Sequence, residues 1–322
     1  MSLEKITYPI QIHLESVNNV IKKSLSSDIP IINQISSHII NSGGKRMRPI
    51  LHLLISGMSG NICEVNHKIA AIIEFIHTAT LLHDDVVDQS SKRRNIKTAN
   101  ALFGNAASVL VGDFIYSRSF QMMVGINNME IMKILSDTTN TISEGEVLQL
   151  LNSHNPDINE QQYFKVIQFK TAKLFEACGS LAGISNNNSS EEINLYSRLG
   201  LHFGIIFQLI DDILDYSGNA TQIGKNIGDD LSEGKITLPL IYAMKGSSKQ
   251  QRNLIKDAIK VGDISKLPDI IEIITETKSI SKVQIESEKQ LESIKLILKK
   301  IPNNNFNKMI LDLAEYSVYR KN

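Results

Sequence analysis

The chain has little that would brace it covalently or break it up. Its two cysteines, Cys63 and Cys178, stand far apart, in neither disulfide-framework nor metal-ligand spacing. That excludes a stapled secreted scaffold and a thiolate metal site, fits a reducing compartment, and leaves both as small core residues. Prolines number 7 in 322 residues, and Pro30, Pro49 and Pro239 fall near the starts of apolar-periodic segments, where a missing N–H costs little. Net charge is absent too. The 34 basic residues balance 34 acidic ones, so no global field draws the chain to nucleic acid or to an anionic membrane. No run reaches the roughly 18 apolar residues of a membrane span, no apolar signal segment follows Met1 to Lys5, and residues 319–322 carry no lipidation motif. A soluble, cytoplasmic protein without stable membrane insertion is expected.

What is present is a long helical pattern. The chain is 42% hydrophobic and 21% charged, ordinary globular usage that allows a sizeable core. Apolar residues recur at spacings of three and four almost throughout, and strand-type alternation is hard to find. The breaks are polar and short: Asn41 to Gly44, Gln89 to Asn95, Asn186 to Ser190, Ser217 to Asn219 and Asn303 to Asn305. None is long enough for a domain linker. The spacing predicts an all-α protein, a single bundle of roughly ten or more helices over residues 1–322.

Against that apolar background, Leu82-His83-Asp84-Asp85-Val86-Val87-Asp88 is an expensive place for charge. Asp84 and Asp88 fall at i and i+4 near the C-terminal end of a predicted helix, where the macrodipole disfavours anions. A solvated acidic helix end is the plain alternative, yet such ends avoid runs like Phe75 to Leu82. Oxygen coordination of Mg2+, by one or two carboxylates plus substrate phosphates and water, accounts for the charge. Asp84 and Asp88 share a face and are the direct-ligand candidates; Asp85 could face another way.

The pattern then repeats. Phe207-Gln208-Leu209-Ile210-Asp211-Asp212-Ile213-Leu214-Asp215 restates an apolar run, Asp-Asp, two apolar residues and Asp. On facing helices the two clusters would wall the mouth of an apolar cavity with carboxylates and hold several Mg2+ ions across a polyphosphate. Cations are interleaved with them. Gly43-Gly44-Lys45-Arg46-Met47-Arg48-Pro49 puts flexible backbone and three cations before a helix, suited to phosphate oxygens. Lys92-Arg93-Arg94, Lys170-Thr171, Lys225 and Lys235 supply more, and His77 shares a face with Asp84 one heptad on. Taken singly, the basic turn and Lys92-Arg93-Arg94 are more often solvated basic faces, and His77 more often a core histidine.

In order and spacing these motifs resemble the trans-polyprenyl diphosphate synthase family, over essentially the whole chain. Ile73 to Met123 and Gly224 to Leu240 resemble in particular the bacterial octaprenyl diphosphate synthases, which make the ubiquinone side chain. The resemblance implies an all-α isoprenoid-synthase fold around a deep central cavity, Mg2+ dependence and a homodimer. It also implies residue roles. Asp84, Asp85, Asp88, Asp211, Asp212 and Asp215 would hold Mg2+ and through it the allylic diphosphate, with Asp84, Asp88 and Asp211 as direct metal ligands. Arg93, Lys170, Thr171, Gln208, Lys225 and Lys235 would contact that diphosphate, Lys170 and Lys235 assisting catalysis. Lys45, Arg48, His77 and Arg94 would bind isopentenyl diphosphate.

The activity so implied is head-to-tail addition of isopentenyl diphosphate to an allylic diphosphate such as farnesyl, giving a long product, octaprenyl by resemblance. A shorter-chain geranylgeranyl synthase and a non-catalytic subunit of a heteromeric synthase are the alternatives, and intact aspartate clusters argue against the second. A terpene cyclase fits poorly, because its second metal motif mixes Asn, Ser or Thr with Glu.

Product length should follow what blocks the cavity. Ala79 and Thr80 lie about one turn before Asp84 on the same helix, where bulky aromatics give short products in the family; Met123 on the next helix is a floor candidate. Small residues here leave the pocket open. Ala79→Tyr is therefore expected to shorten the product, read by chromatography of the prenyl chains, and an unchanged length distribution would rule the gate out.

Overall fold

A computed structural model describes residues 2–41, 43–93, 96–217 and 227–320. The chain is helical almost throughout, as the spacing predicts. In order come α1 (Leu3–Thr7), α2 (Gln11–Ser24), α3 (Pro30–Asn41), α4 (Met47–Ser59), α5 (Glu64–Val87), α6 (Ala99–Phe103), α7 (Asn105–Ile126), α8 (Met129–Asn152) and α9 (Glu160–Ile167). A π turn, Gln168–Ala172, joins α9 to α10 (Lys173–Ser185). Then follow α11 (Ser190–Ser217), α12 (Asp229–Ser232), α13 (Leu238–Gly246), α14 (Lys249–Val261), α15 (Leu267–Glu276), α16 (Ser279–Leu298) and α17 (Asn305–Tyr319). The strands among the described residues are a two-residue ribbon, β1 (Lys92–Arg93) antiparallel to β2 (Ile96–Lys97), too short to show alternation in sequence. Pro30 begins α3, and Pro239 lies in the first turn of α13, where its missing N–H is harmless.

By internal contacts the chain forms two compact units, each drawn from three stretches. The first comprises Met1–Thr139, Leu174–Gly200 and Leu298–Leu313; the second comprises Asn140–Lys173, Leu201–Ile297 and Ala314–Asn322.

In the first unit α5 is the axis. Ile69 to Ile73, Phe75, Ile76 and Ala79 are all at most 1% exposed, so the helix is apolar around its circumference, as a helix enclosed by others must be. It packs against α2, α4 and α7. Its start is fixed by Asn66, whose Oδ1 accepts the Cys63 N–H at 2.9 Å and whose Nδ2 donates to Ser56 Oγ and Ser185 Oγ at 3.0 and 2.8 Å. Its end is a Schellman closure: Gln89 is left-handed at φ 52, Gln89 N–H reaches Val86 O, and Ser90 N–H reaches Asp85 O at 3.0 Å. α7 is also apolar on most sides, and Val109, Leu110 and Val124 stay exposed.

Two glycines set the approach of α10 to the first turns of α11. A Cβ on Gly179 would lie 1.9 Å from the Tyr196 carbonyl oxygen, and one on Gly200 would lie 2.0 Å from that of Phe175. Backbone cannot yield as a side chain can. In the second unit, Leu231, Leu240, Ile255, Ile259, Ile270 and Ile273 form the centre of an apolar cluster contributed by α12 to α15. Gly179→Ala is expected to force the two helices apart and cost about 1–3 kcal/mol, measured by thermal or denaturant unfolding; an unchanged midpoint would mean the contact is not rigid.

Candidate active site

The first aspartate motif occupies the last turn of α5, and the Schellman closure decides where its side chains go. Asp85 is buried, 1% exposed, while Asp84 and Asp88 are half-buried. Asp85 thus departs from the face that Asp84 and Asp88 share, as its position one residue on requires. The ribbon after α5 turns the chain back so that Arg93 reaches it, donating from Nε and Nη2 to Asp85 Oδ1 at 2.9 and 2.8 Å. Asn100 Nδ2 secures the same turn by donating to Asp85 O at 3.0 Å. Burial raises the Asp85 carboxyl and Arg93 opposes the rise.

The basic turn before α4 lies in the same unit. Gly43 takes φ 76, and Arg46, at φ 51 and ψ 35, caps α4 in the left-handed region. A non-glycine residue there carries strain of about 1–3 kcal/mol and needs its surroundings to hold it. The hold is an ion pair between Arg46 and the buried Glu74 of α5. Gly43, Gly44, Arg46, His77 and Arg93 line one pocket with Glu74 at its wall. Lys45 is half-buried in the same turn. Arg48 points elsewhere, its guanidinium 4.4 Å from the centre of the Phe175 ring with the side chain buried. Ala79 and Met123 are both buried, on α5 and on the α7 that packs against it; Thr80 is half-buried.

The second motif lies on α11 in the second unit. Asp212, 1% exposed, accepts the Tyr163 hydroxyl at 2.6 Å and Gln208 Nε2 at 2.8 Å, and Gln208 Oε1 accepts the Thr171 hydroxyl at 2.8 Å. Thr171, Gln208 and Asp212, each singled out from sequence, are thus one hydrogen-bonded chain. Asp215 accepts the Asp230 N–H at 3.3 Å, and Asp211 pairs with Arg320. Lys170 and Thr171 sit in the π turn, whose backbone approaches α8 so closely that a Cβ on Gly145 would lie 2.7 Å from Lys170 N. Lys170 donates to Glu146 at 2.6 Å, and Lys235 to Glu233 at 2.5 Å. Arg94 and Lys225 lie outside the described residues. Sequence reasoning missed Glu74, Glu146, Tyr163 and Arg320, which belong to no motif. It counted Arg46 among the cations of the basic turn but gave it no role of its own.

This geometry belongs with a known group of proteins. The sequence profile named Polyprenyl synthetase matches residues 29–276. Octaprenyl diphosphate synthase of Escherichia coli K12 is 44% identical over 321 residues, covering 99% of each chain. The chain belongs to the polyprenyl synthetase family. All-trans-nonaprenyl-diphosphate synthase (geranyl-diphosphate specific) of Rhodobacter capsulatus is 40% identical over 98% of each chain. Among solved structures, a polyprenyl synthase from Caulobacter crescentus complexed with calcium and isoprenyl diphosphate superposes with TM-score 0.96 at 36% identity, covering 100% of this chain and 98% of that one. A decaprenyl diphosphate synthase from Rhodobacter capsulatus superposes with TM-score 0.93 at 37% identity, with both chains fully covered. The all-α fold, the family and trans-prenyltransferase activity expected from the motifs are all borne out.

The donors that the two motifs offer are carboxylate oxygens, with no thiolate among them. Hard divalent cations suit such a set. Among the described residues no group of three or more His, Cys, Asp or Glu side chains is placed to hold a metal ion. The second motif has the marks of a site that wants positive charge. Burial, then the nearby Asp230 carboxylate, push Asp212 up to about 8, and an arginine rests on Asp211.

The Asp212 shift has a consequence for stability. Between the ordinary carboxylate range and about 8, the folded metal-free protein keeps a proton that the unfolded chain has lost. Stability therefore falls as pH rises through that window. Asp212→Asn removes the titration, so in chelator its melting temperature should exceed that of the parent chain, by a margin that grows from about pH 5 to about pH 8. A margin that stays constant with pH would show that Asp212 does not carry the shift.

Proposed function

We propose that this trans-prenyltransferase adds isopentenyl diphosphate units head-to-tail to an allylic diphosphate such as farnesyl, giving octaprenyl diphosphate for a quinone side chain. The observation that carries the reading is 44% identity along 99% of the chain to an octaprenyl diphosphate synthase, with both aspartate motifs intact. The whole chain would act as one synthase domain. Supporting that, the family profile runs from residue 29 to 276 without regard to the two compact units.

Asp84, Asp88 and Asp211 are proposed as direct ligands of Mg2+, with Asp85, Asp212 and Asp215 completing the two acidic motifs. The calcium and isoprenyl diphosphate bound by the Caulobacter polyprenyl synthase support a divalent cation with a diphosphate. When bound, the cation supplies Lewis-acid neutralisation of charge on the diphosphate. Arg93, Lys170, Thr171, Gln208, Lys225 and Lys235 would hold the allylic diphosphate; Lys45, Arg48, His77 and Arg94 would hold isopentenyl diphosphate. His77 and Arg93 support this by lining the pocket beside the Gly43-Gly44 turn, and Arg46 joins them.

The chain's cations act where charge develops. As the allylic C–O bond breaks, its electron pair goes to the diphosphate, and Lys170 and Lys235 stabilise the oxygens that receive it. The isopentenyl double bond, held close by the basic turn, attacks the allylic cation, and a proton leaves the new unit to restore an alkene. The departing diphosphate takes that proton, so no dedicated basic side chain is needed. Buried apolar residues such as Ala79 and Met123 keep water from the cation.

A homodimer is proposed as well, supported by apolar side chains exposed at both ends of α7, Val109 and Leu110 at one and Val124 at the other. Among the described residues no helix is long and apolar enough to cross a membrane, and both cysteines are unpaired, which supports a cytoplasmic location.

Incubation with farnesyl diphosphate, isopentenyl diphosphate and Mg2+, followed by mass analysis, should yield octaprenyl diphosphate as the main product. Asp84→Asn and Asp211→Asn should each lower kcat by about 10²–10³-fold. A main product of geranylgeranyl length, or no Mg2+-dependent turnover by the purified chain, would overturn the reading.

A further inference from the structure

Arg320 follows α17 and turns back onto α11. Its side chain is 6% exposed, whereas that of Asp211 is 43% exposed. The guanidinium pairs with Asp211 Oδ1 through Nη2, donates from the same nitrogen to Phe207 O at 3.2 Å, and lies 4.5 Å from the centre of the Phe207 ring. Its Nε is buried and finds no hydrogen-bond partner among the described residues. The cation is therefore sequestered on a carboxylate of the second motif, with its Nε–H left over.

We propose that Arg320 is a resident cation that occupies Asp211 in the empty enzyme and is displaced when metal and diphosphate arrive together. The proposal rests on the reading of Asp211 as a metal ligand. A guanidinium and a metal ion compete for the same oxygen, Oδ1. A bare dication that takes it strands a buried positive charge beside a second one, which is costly. A diphosphate removes that cost, because its oxygens accept paired hydrogen bonds from the planar fork of a released guanidinium. Arg320 thus opposes metal without diphosphate and favours the pair. The coupling is reciprocal, so diphosphate binding should strengthen with metal by the same factor.

The test uses the full chain with Mn2+ as the probe, free Mn2+ being read by electron paramagnetic resonance, with and without inorganic diphosphate. Arg320→Met keeps an apolar stem on Phe207 and removes the charge; Arg320→Gln does so while keeping a hydrogen-bond donor, and serves if the Met variant does not fold. Without diphosphate either variant should bind Mn2+ about tenfold more tightly than the parent chain, and diphosphate should then improve Mn2+ binding less than it does in the parent. In an Asp211→Asn background the arginine substitution should give no such gain. Parent-like Mn2+ affinity in the folded Met or Gln variant, with Asp211→Asn weakening it, would overturn the role of Arg320 alone. Unchanged Mn2+ affinity in Asp211→Asn would remove Asp211 from the metal site and the proposal with it.

Discussion

A carboxylate taken away from bulk water has to be met by a donor or a cation, and much of the polar architecture of this chain answers that need. Asp85 meets Arg93, Asp212 meets Tyr163 and Gln208, Asp215 meets a backbone N–H, and Asp211 meets Arg320. Each partner comes from a different element: a ribbon, α9, α11 itself, the start of α12 and the residue after α17. The ribbon has little apolar content to hold it in place, and the short α12 has Leu231 alone. Each is tied to an aspartate, the ribbon through Arg93 to Asp85 and α12 through the Asp230 N–H to Asp215.

The same demand explains why the acidic helix ends tolerate so much apolar packing. α5 is enclosed along most of its length and reaches its charged turn only at the end. A helix C-terminus is the poorer end for anions, so the arrangement costs stability in the empty protein. Burial adds a cost of its own, raising the Asp85 and Asp212 carboxyls. Sites tuned to bind positive charge carry such a penalty until the charge arrives.

The aspartate motifs, the basic turn and the all-α class were legible in the sequence because their signals are local: three carboxylates within five positions, or apolar residues every third and fourth. The partners were not, because they arrive from far along the chain. Tyr163 lies 49 residues from Asp212, Arg320 lies 109 from Asp211, and Glu74 lies 28 from Arg46. Nothing in the spacing of those residues marks them. Arg48 stands in the basic turn pattern, yet its place as the second residue of α4, beside the Phe175 ring, could not be read from that pattern. Asp85 lies between, since its departure from the shared face follows from helical geometry while its pairing with Arg93 needs the ribbon.

The π turn between α9 and α10 has a bearing on how the chain could change over time. A π turn holds one more residue than the α turn it replaces, so α10 is rotated by about 100° from where α9 would have carried it. Residues before and after it therefore keep separate helical phases. Losing a single residue from Gln168–Ala172 would leave an uninterrupted helix of good local geometry and yet swing Lys170 and Thr171 off the face they share with Tyr163. Length in this stretch is then as constrained as the identity of Lys170 and Thr171.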